Sequence, residues 1–134
     1  MAPELVERIL AGYELFNQGR LDEAIEGMPD EIEWIAPEMF VDRGPYRGRE
    51  GVRRFWDAWH DTFDGFRIEI AEVHDLGEHL VVIASVGGTG RDSGVEVTTP
   101  AFPHVWTSHG DELRRMEMFS SEDAARETIG KDWR

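Results

Sequence analysis

The sequence predicts an α+β domain in which helices pack against a curved sheet. Three observations predict it. Helical spacing of apolar residues runs through the first half of the chain, and after Gly65 the apolar period changes to two. The strands then follow one another as far as Phe119, the order of an α+β plan. Between these halves, Val52, Phe55, Trp56, Trp59 and Phe63 recur at three- and four-residue spacing. They give one helix a broad ring-bearing stripe, which needs a large concave partner, most simply a curved sheet.

Residues 4–18 read as the first helix, with Leu5, Val6, Ile9, Leu10, Tyr13 and Phe16 as its apolar stripe and Gly19 just beyond its end. Leu21, Ala24, Ile25 and Met28 continue as a short second helix that Pro29 ends. Ile32-Glu33-Trp34-Ile35 is a short strand stopped by Pro37. A loop over 37–48 carries Asp42 and Arg43, read as a solvated pair. Gly48 is the expected N-cap of the ring-bearing helix, and Glu50 in its first turn suits the helix dipole. Asp64-Gly65 closes it.

In the second half, Phe66, Ile68 and Ile70 alternate with Arg67 and Glu69. The alternation slips near Ala71-Glu72, the mark of a bulge or strong bend. Leu80 to Val86 is apolar on both parities, so that strand needs cover on both faces. The helices supply one cover, and a second sheet or a second copy of the chain is expected to supply the other. Gly87 to Gly94 resembles a phosphate loop only superficially. It leads into the strand Val95 to Thr99, so it offers no helix N-terminus to a phosphate and reads as a hairpin connection. Residues 101–108 form a strand beside Pro100 and Pro103, His109-Gly110-Asp111 a turn, and Leu113 to Phe119 the last strand. Ser120 or Ser121 then caps a final helix with Glu122 and Asp123 in its first turn and Gly130 near its end.

A chain of 134 residues suits one domain with a real core, and no linker or repeat divides it. Fourteen basic against twenty-eight acidic residues give a formal charge of −14, which repels phosphate backbones and anionic membranes. Nucleic-acid and membrane partners are therefore not expected. There is no cysteine, no apolar run near the ~20 residues that span a bilayer, and Met1-Ala2-Pro3-Glu4 lacks the basic start of a secretory signal, so a cytoplasmic protein is expected. His60, His74, His79 and His109 are dispersed and form no two-residue metal pair, so neither a metal nor a cofactor is expected.

Phe16-Asn17-Gln18-Gly19-Arg20-Leu21-Asp22, Glu33-Trp34, Tyr46 to Val52, Phe66-Arg67 and His104-Val105-Trp106-Thr107 resemble the SnoaL-like families of the nuclear-transport-factor-2-like superfamily over nearly the whole chain. The resemblance implies one domain over residues 1–134. It implies a cone, in which a strongly curved mixed or antiparallel sheet wraps around the N-terminal helices with a central pocket. It also implies members that pair sheet to sheet as dimers. It does not choose a reaction, because the superfamily holds isomerases, polyketide cyclases, epoxide hydrolases, dehydratases and non-catalytic binding proteins. Where the ketosteroid isomerases of the superfamily carry a carboxylate base on the first strand, this chain has Ala36, and Tyr13 stands one residue away from their helix tyrosine.

His104 is the first candidate for chemistry. It shares a strand face with Phe102 and Trp106, and its imidazole can handle a proton or bind an oxyanion. Tyr46 and Tyr13 are candidate hydroxyl donors. Trp34, Trp56, Trp59, Phe102, Trp106, Met116 and Met118 are the expected apolar walls. Arg115 and Glu117 fall on the opposite parity and are expected on the outer face, where they would pair across a two-fold axis of a homodimer formed through the sheet. The function expected is binding of a small, largely apolar organic molecule in the cone. Its catalytic form would be acid–base chemistry of isomerase, cyclase or dehydratase type. The alternative is a non-catalytic ligand-binding or dimerisation module.

Overall fold

A computed structural model of the chain describes residues 1–38, 40 and 42–133. Among the described residues, four helices and seven strands follow in the order α1 (Pro3–Asn17), α2 (Leu21–Glu26), β1 (Glu33–Ile35), β2 (Tyr46–Arg47), α3 (Gly48–Thr62), β3 (Phe63–Asp75), β4 (His79–Gly90), β5 (Glu96–Thr98), β6 (Phe102–His109), β7 (Glu112–Met118) and α4 (Glu122–Ile129). The strands make one mixed sheet in the order β2-β1-β7-β6-β4-β3, with β5 added alongside β4. Only the β1–β7 pair is parallel among the strand pairs of this sheet. The α+β cone is the fold the sequence predicts.

The periodicities act where they were read. In α3, Val52, Phe55 and Trp56 are buried on one side, and Trp59 continues their row half-buried. The slip near Ala71 is a register shift between Ile70 and Glu72 in the β3–β4 pair, which bends the long edge strand. The free edge of β3 is met from α1. The Asn17 side-chain amide donates to the Ile68 carbonyl at 2.8 Å and accepts from the Ile68 amide at 2.7 Å, as a neighbouring strand would.

Several details differ from the sequence reading. Phe63, read as the last member of the α3 stripe, is the first residue of β3, and Asp64-Gly65 lie within that strand instead of closing the helix. The short pair Tyr46–Arg47 lies within the stretch read as loop and pairs with β1. Arg47, rather than Gly48, occupies the N-cap of α3. Gly48 begins the helix at φ +70°, and a Cβ there would meet the Asp30 carbonyl oxygen at 2.8 Å, so the position demands glycine for both reasons.

Leu80 to Ala84 is buried on both faces, as its composition requires, but the second cover is not the one expected. Val81 and Ile83 of β4, Val105 of β6 and Phe119 form an outer cluster closed by Ala125 of α4 and by Trp133. The chain's own last helix crosses the outer face of the sheet. The premise that these residues face water in a monomer is therefore corrected: an eight-residue helix with one apolar side suffices to cover four side chains. The expected cross-axis pair changes as well, because Glu117 accepts from Arg43 of the same chain at 3.3 Å.

Candidate functional site

The inner face of the sheet and the helices enclose an aromatic core. Trp34 of β1 sits 6.0 Å from Phe55, 6.1 Å from Trp56 and 5.7 Å from Trp106, ring centre to ring centre. The last of these contacts, at 83° between planes, is edge to face, the arrangement the ring quadrupoles favour. Rings at these angles do not tile a curved wall completely. Toward the end of the cone marked by Phe102, a cavity of about 200 Å³ remains. Phe55, Trp56 and Trp59 of α3 form one side of it, and Pro37 and Phe40 another. Val86, the approach to β6 from Thr99 to Phe102, Met118 and Ser120 complete the wall.

Trp56, Trp59, Phe102 and Met118 thus meet in one place as the sequence placed them. Trp34 and Met116 belong to the solid core beneath the cavity. Trp106 faces away from it, into a second apolar recess of about 190 Å³ between α1, α2 and the sheet, beside Leu5 and Leu113. Phe55 carried a signal in the helical stripe. Val86 belonged to the run read as apolar on both parities, which does not say which face it takes, and Phe40 and residues 99–101 carried no signal, because loop positions have no periodicity to reveal the side they face.

The polar centre of the core joins the first helix to the sixth strand. The Trp106 indole N–H donates to the Tyr13 hydroxyl oxygen at 2.8 Å. That oxygen lies 2.8 Å from Nδ1 of His104, 91 residues away in sequence. The indole nitrogen only donates, so the Tyr13 oxygen accepts there; were it to accept from Nδ1–H as well, its buried hydroxyl proton would have no acceptor among the described residues, so that proton is assigned to Nδ1. His104 is 1 % exposed, and burial holds its pKa down at about 3, so the imidazole is neutral at pH 7. Burial likewise raises the pKa of the Tyr13 hydroxyl, against a smaller opposing effect of the Trp106 bond. A neutral imidazole whose Nδ1 accepts carries its proton on Nε2. Among the described residues no group accepts from that N–H, nor from the buried indole N–H of Trp34. His104 stands behind the cavity wall rather than in it: the ring of the wall residue Phe102 lies 4.8 Å from the imidazole, and Met118, also in the wall, is its cross-strand neighbour.

Tyr46 is not part of this centre. Its ring backs Phe55 at 5.5 Å, and its hydroxyl donates to the Asp42 carbonyl at 3.0 Å in an exposed loop. Arg43 turns toward the sheet and donates to the Ala36 carbonyl at 3.1 Å as well as to Glu117. Among the described residues no group of three or more His, Asp or Glu side chains is placed to hold a metal. No described helix is long and apolar enough to cross a membrane.

The α+β cone of helices against a curved sheet is the fold of the nuclear-transport-factor-2-like class. Within that class, the profile of the SnoaL-like domain matches residues 9–116, and the chain belongs to this family. No functionally curated protein sequence matches it. Among solved structures it is similar to TerC co-crystallised with polyporic acid, at 27% identity over 95% of this chain and 98% of that one, with a TM-score of 0.74. A nuclear-transport-factor-2-like protein of unknown function from Burkholderia pseudomallei is similar at 19% identity, with the same coverages of 95% and 98% and the same TM-score of 0.74. A protein with a ketosteroid isomerase-like fold from Catenulispora acidiphila, in complex with trimethylamine, is similar at 14% identity over 98% and 96%, with a TM-score of 0.66. The last two likenesses speak for the fold alone.

Proposed function

We propose that the chain binds a small, largely apolar organic molecule in the aromatic cavity, and that in its catalytic form it performs acid–base chemistry of the isomerase, cyclase or dehydratase kind with His104 as the polar residue at the reacting end. One observation carries the reading: the cavity is walled by five aromatic rings, Phe40, Phe55, Trp56, Trp59 and Phe102, and the last of these packs 4.8 Å from the ring of the buried, neutral His104. Size narrows the ligand. Pockets for drug-sized molecules run from about 300 Å³ upward, whereas an apolar cavity of about 150 Å³ takes benzene. A cavity of about 200 Å³ therefore suits a molecule built on one ring. TerC was co-crystallised with polyporic acid, so aryl-bearing quinones are the first larger compounds to try.

The experiment is displacement of an environment-sensitive apolar dye by single-ring compounds, followed through tryptophan emission, since Trp56 and Trp59 stand in the wall. Saturable binding that Ala101→Leu abolishes is expected. Binding indifferent to that filling of the cavity would place the ligand elsewhere. If turnover of a bound compound is found, His104→Ala abolishes it while the fold survives. Equal turnover would remove His104 from the chemistry and leave the non-catalytic binding module.

A homodimer through the sheet is the assembly proposed with it, now on the part of the outer face that α4 leaves open. Arg67 there is exposed, and Arg115 is half-buried with its Nε enclosed and unbonded among the described residues. A second copy, with 28 acidic groups per chain, has the charge to meet them. Sedimentation at micromolar concentration tests this, and a strictly monomeric species would reject it.

A further inference from the structure

We propose that residues 96–101, which are β5 and the turn after it, form the gate of the cavity: a strap that lifts away from Gly87 and Gly88 of β4 to let a ligand in and out. This rests on the reading of the cavity as the ligand site.

The wall of the cavity is not equally closed all round. Phe55, Trp56 and Met118 are buried, whereas Pro100, Ala101 and Ser120 are exposed, so solvent meets the cavity beside these three. Ser120 is tied down, its amide donating to the Glu38 carboxylate at 3.0 Å. Pro100 and Ala101 belong to the strap. The way in therefore runs past the strap.

Little side-chain packing holds the strap. Among the described strands β5 pairs with β4 alone, over Glu96–Thr98, and all three of these residues are exposed. Their partners are Thr89, Gly88 and Gly87, so two of the three cross-strand pairs have no second side chain to pack. Val95 and Val97 are exposed apolar side chains, and no core cluster takes them in. Pro100 has no N–H to give a ladder, and pairing with β4 resumes only at Phe102. Few buried apolar contacts and solvent-exposed backbone bonds are the marks of a segment that opens locally while the rest of the fold stays closed.

The strap is anchored at both ends and clasped between them. Before it, the Arg91 guanidinium pairs with Asp64 at 2.8 Å and donates to the His60 carbonyl, and the Arg91 amide donates to the Thr62 carbonyl at 3.0 Å. These bonds tie the tip of the glycine-rich hairpin to the end of α3. After it, Phe102 opens the β6 ladder. The clasp is Thr99. Its amide donates to the Val86 carbonyl at 2.9 Å, and its hydroxyl oxygen accepts from the Val86 amide at 2.9 Å. Thr99 and Val86 both stand in the cavity wall, so breaking this reciprocal pair parts the wall itself.

A reversible lock tests this. The chain has no cysteine, so an introduced pair has no competing thiol. Gly87 and Thr98 are directly opposed, a Cβ at Gly87 would lie an ordinary 3.4 Å from the Thr98 hydroxyl oxygen, and neither residue lines the cavity. Opposed residues of an antiparallel pair have Cα atoms about 4.5–5.5 Å apart, a span a disulfide bridges. In Gly87→Cys/Thr98→Cys the bridge leaves only residues 99–101 between two fixed points. Stopped-flow mixing with an environment-sensitive apolar dye should show association and dissociation both slowed about tenfold or more in the oxidised protein, with Kd little changed, and both restored by reductant. Amide exchange of the wild-type chain needs no variant: the Thr99 amide should exchange about a hundredfold faster than those of Val105 and Trp106 in β6. Equal rates in the oxidised and reduced protein, or a Thr99 amide as protected as those of β6, overturn the gate while leaving the cavity as a binding site. Failure of the dye to bind the wild-type chain overturns the cavity reading and the gate together.

Discussion

The two faces of the sheet are covered by different means. The inner face meets α1 and α3 and is packed with aromatic rings, while the outer face meets α4 and is packed mainly with the small branched side chains Val81, Ile83 and Val105. The inner face keeps a cavity and a polar chain. On the outer face the recess is of mixed character, with Glu78, His79 and Arg115 in its wall beside Val105, Phe119 and Ile129. The place of the inner cavity follows from the side chains on the concave face as well as from the fold.

The comparison breaks most visibly at Trp34, which touches Phe55, Trp56 and Trp106. Trp34→Ala should cost about 3–5 kcal/mol, the usual loss for a buried tryptophan, read from urea denaturation. A loss under ~1 kcal/mol would mean that the ring core is loosely packed throughout rather than only at the cavity.

On the outer side Trp133 seals the cluster, with the Arg126 guanidinium 4.5 Å over its ring. Trp133→Ala should cost about 2 kcal/mol of burial. It should also uncover Val81, Ile83 and Phe119 and raise self-association in light scattering. A variant that stays as stable and as monodisperse as the parent would show that α4 does not depend on this seal.

Acid sharpens the contrast through His104. In the fold the imidazole stays neutral down to about pH 3, whereas in the unfolded chain it takes a proton below about 6.5. The unfolded state binds more protons across that window, so the contribution is complete above about pH 6.5 and is lost as pH falls toward 3. Between pH 6.5 and 5 the loss should reach about 1.5 kcal/mol. His79 on the other face has its pKa lowered by burial and adds in the same direction. The difference between wild type and His104→Phe isolates the inner histidine, and parallel pH profiles for the two proteins would rule out a buried neutral imidazole.

The smallest expected effect is at the start of α4, where the Ser121 hydroxyl accepts from the Ala124 amide at 3.1 Å. Ser121→Ala should cost about 1 kcal/mol in urea denaturation. The inner cavity's ligand binding should not change, since the two faces are separate clusters. A change in binding would show that the faces are coupled through β4 and β6.

The sequence by itself determined which side of each element is apolar. The stripe of α3, the alternation of β3 with its slip after Ile70, and the double-sided apolarity of β4 are local periods, and local periods are fixed by backbone geometry. From these the α+β order followed, and Trp56, Trp59, Phe102 and Met118 were legible as wall. Only the tertiary structure decided what covers each apolar side. The apolar side of α4 is the same whether it meets its own sheet or another chain, so the outer cover read as a second copy proved to be a helix of the same chain. The hydrogen-bonded chain was hidden for the same reason. Tyr13 was read as a candidate hydroxyl donor and Trp106 as a wall of the pocket, but nothing in either stretch says that their polar tips meet at His104 across 91 residues. Contacts of that range are set by how the elements dock, and docking is where the cavity, the tautomer and the unmet N–H arise.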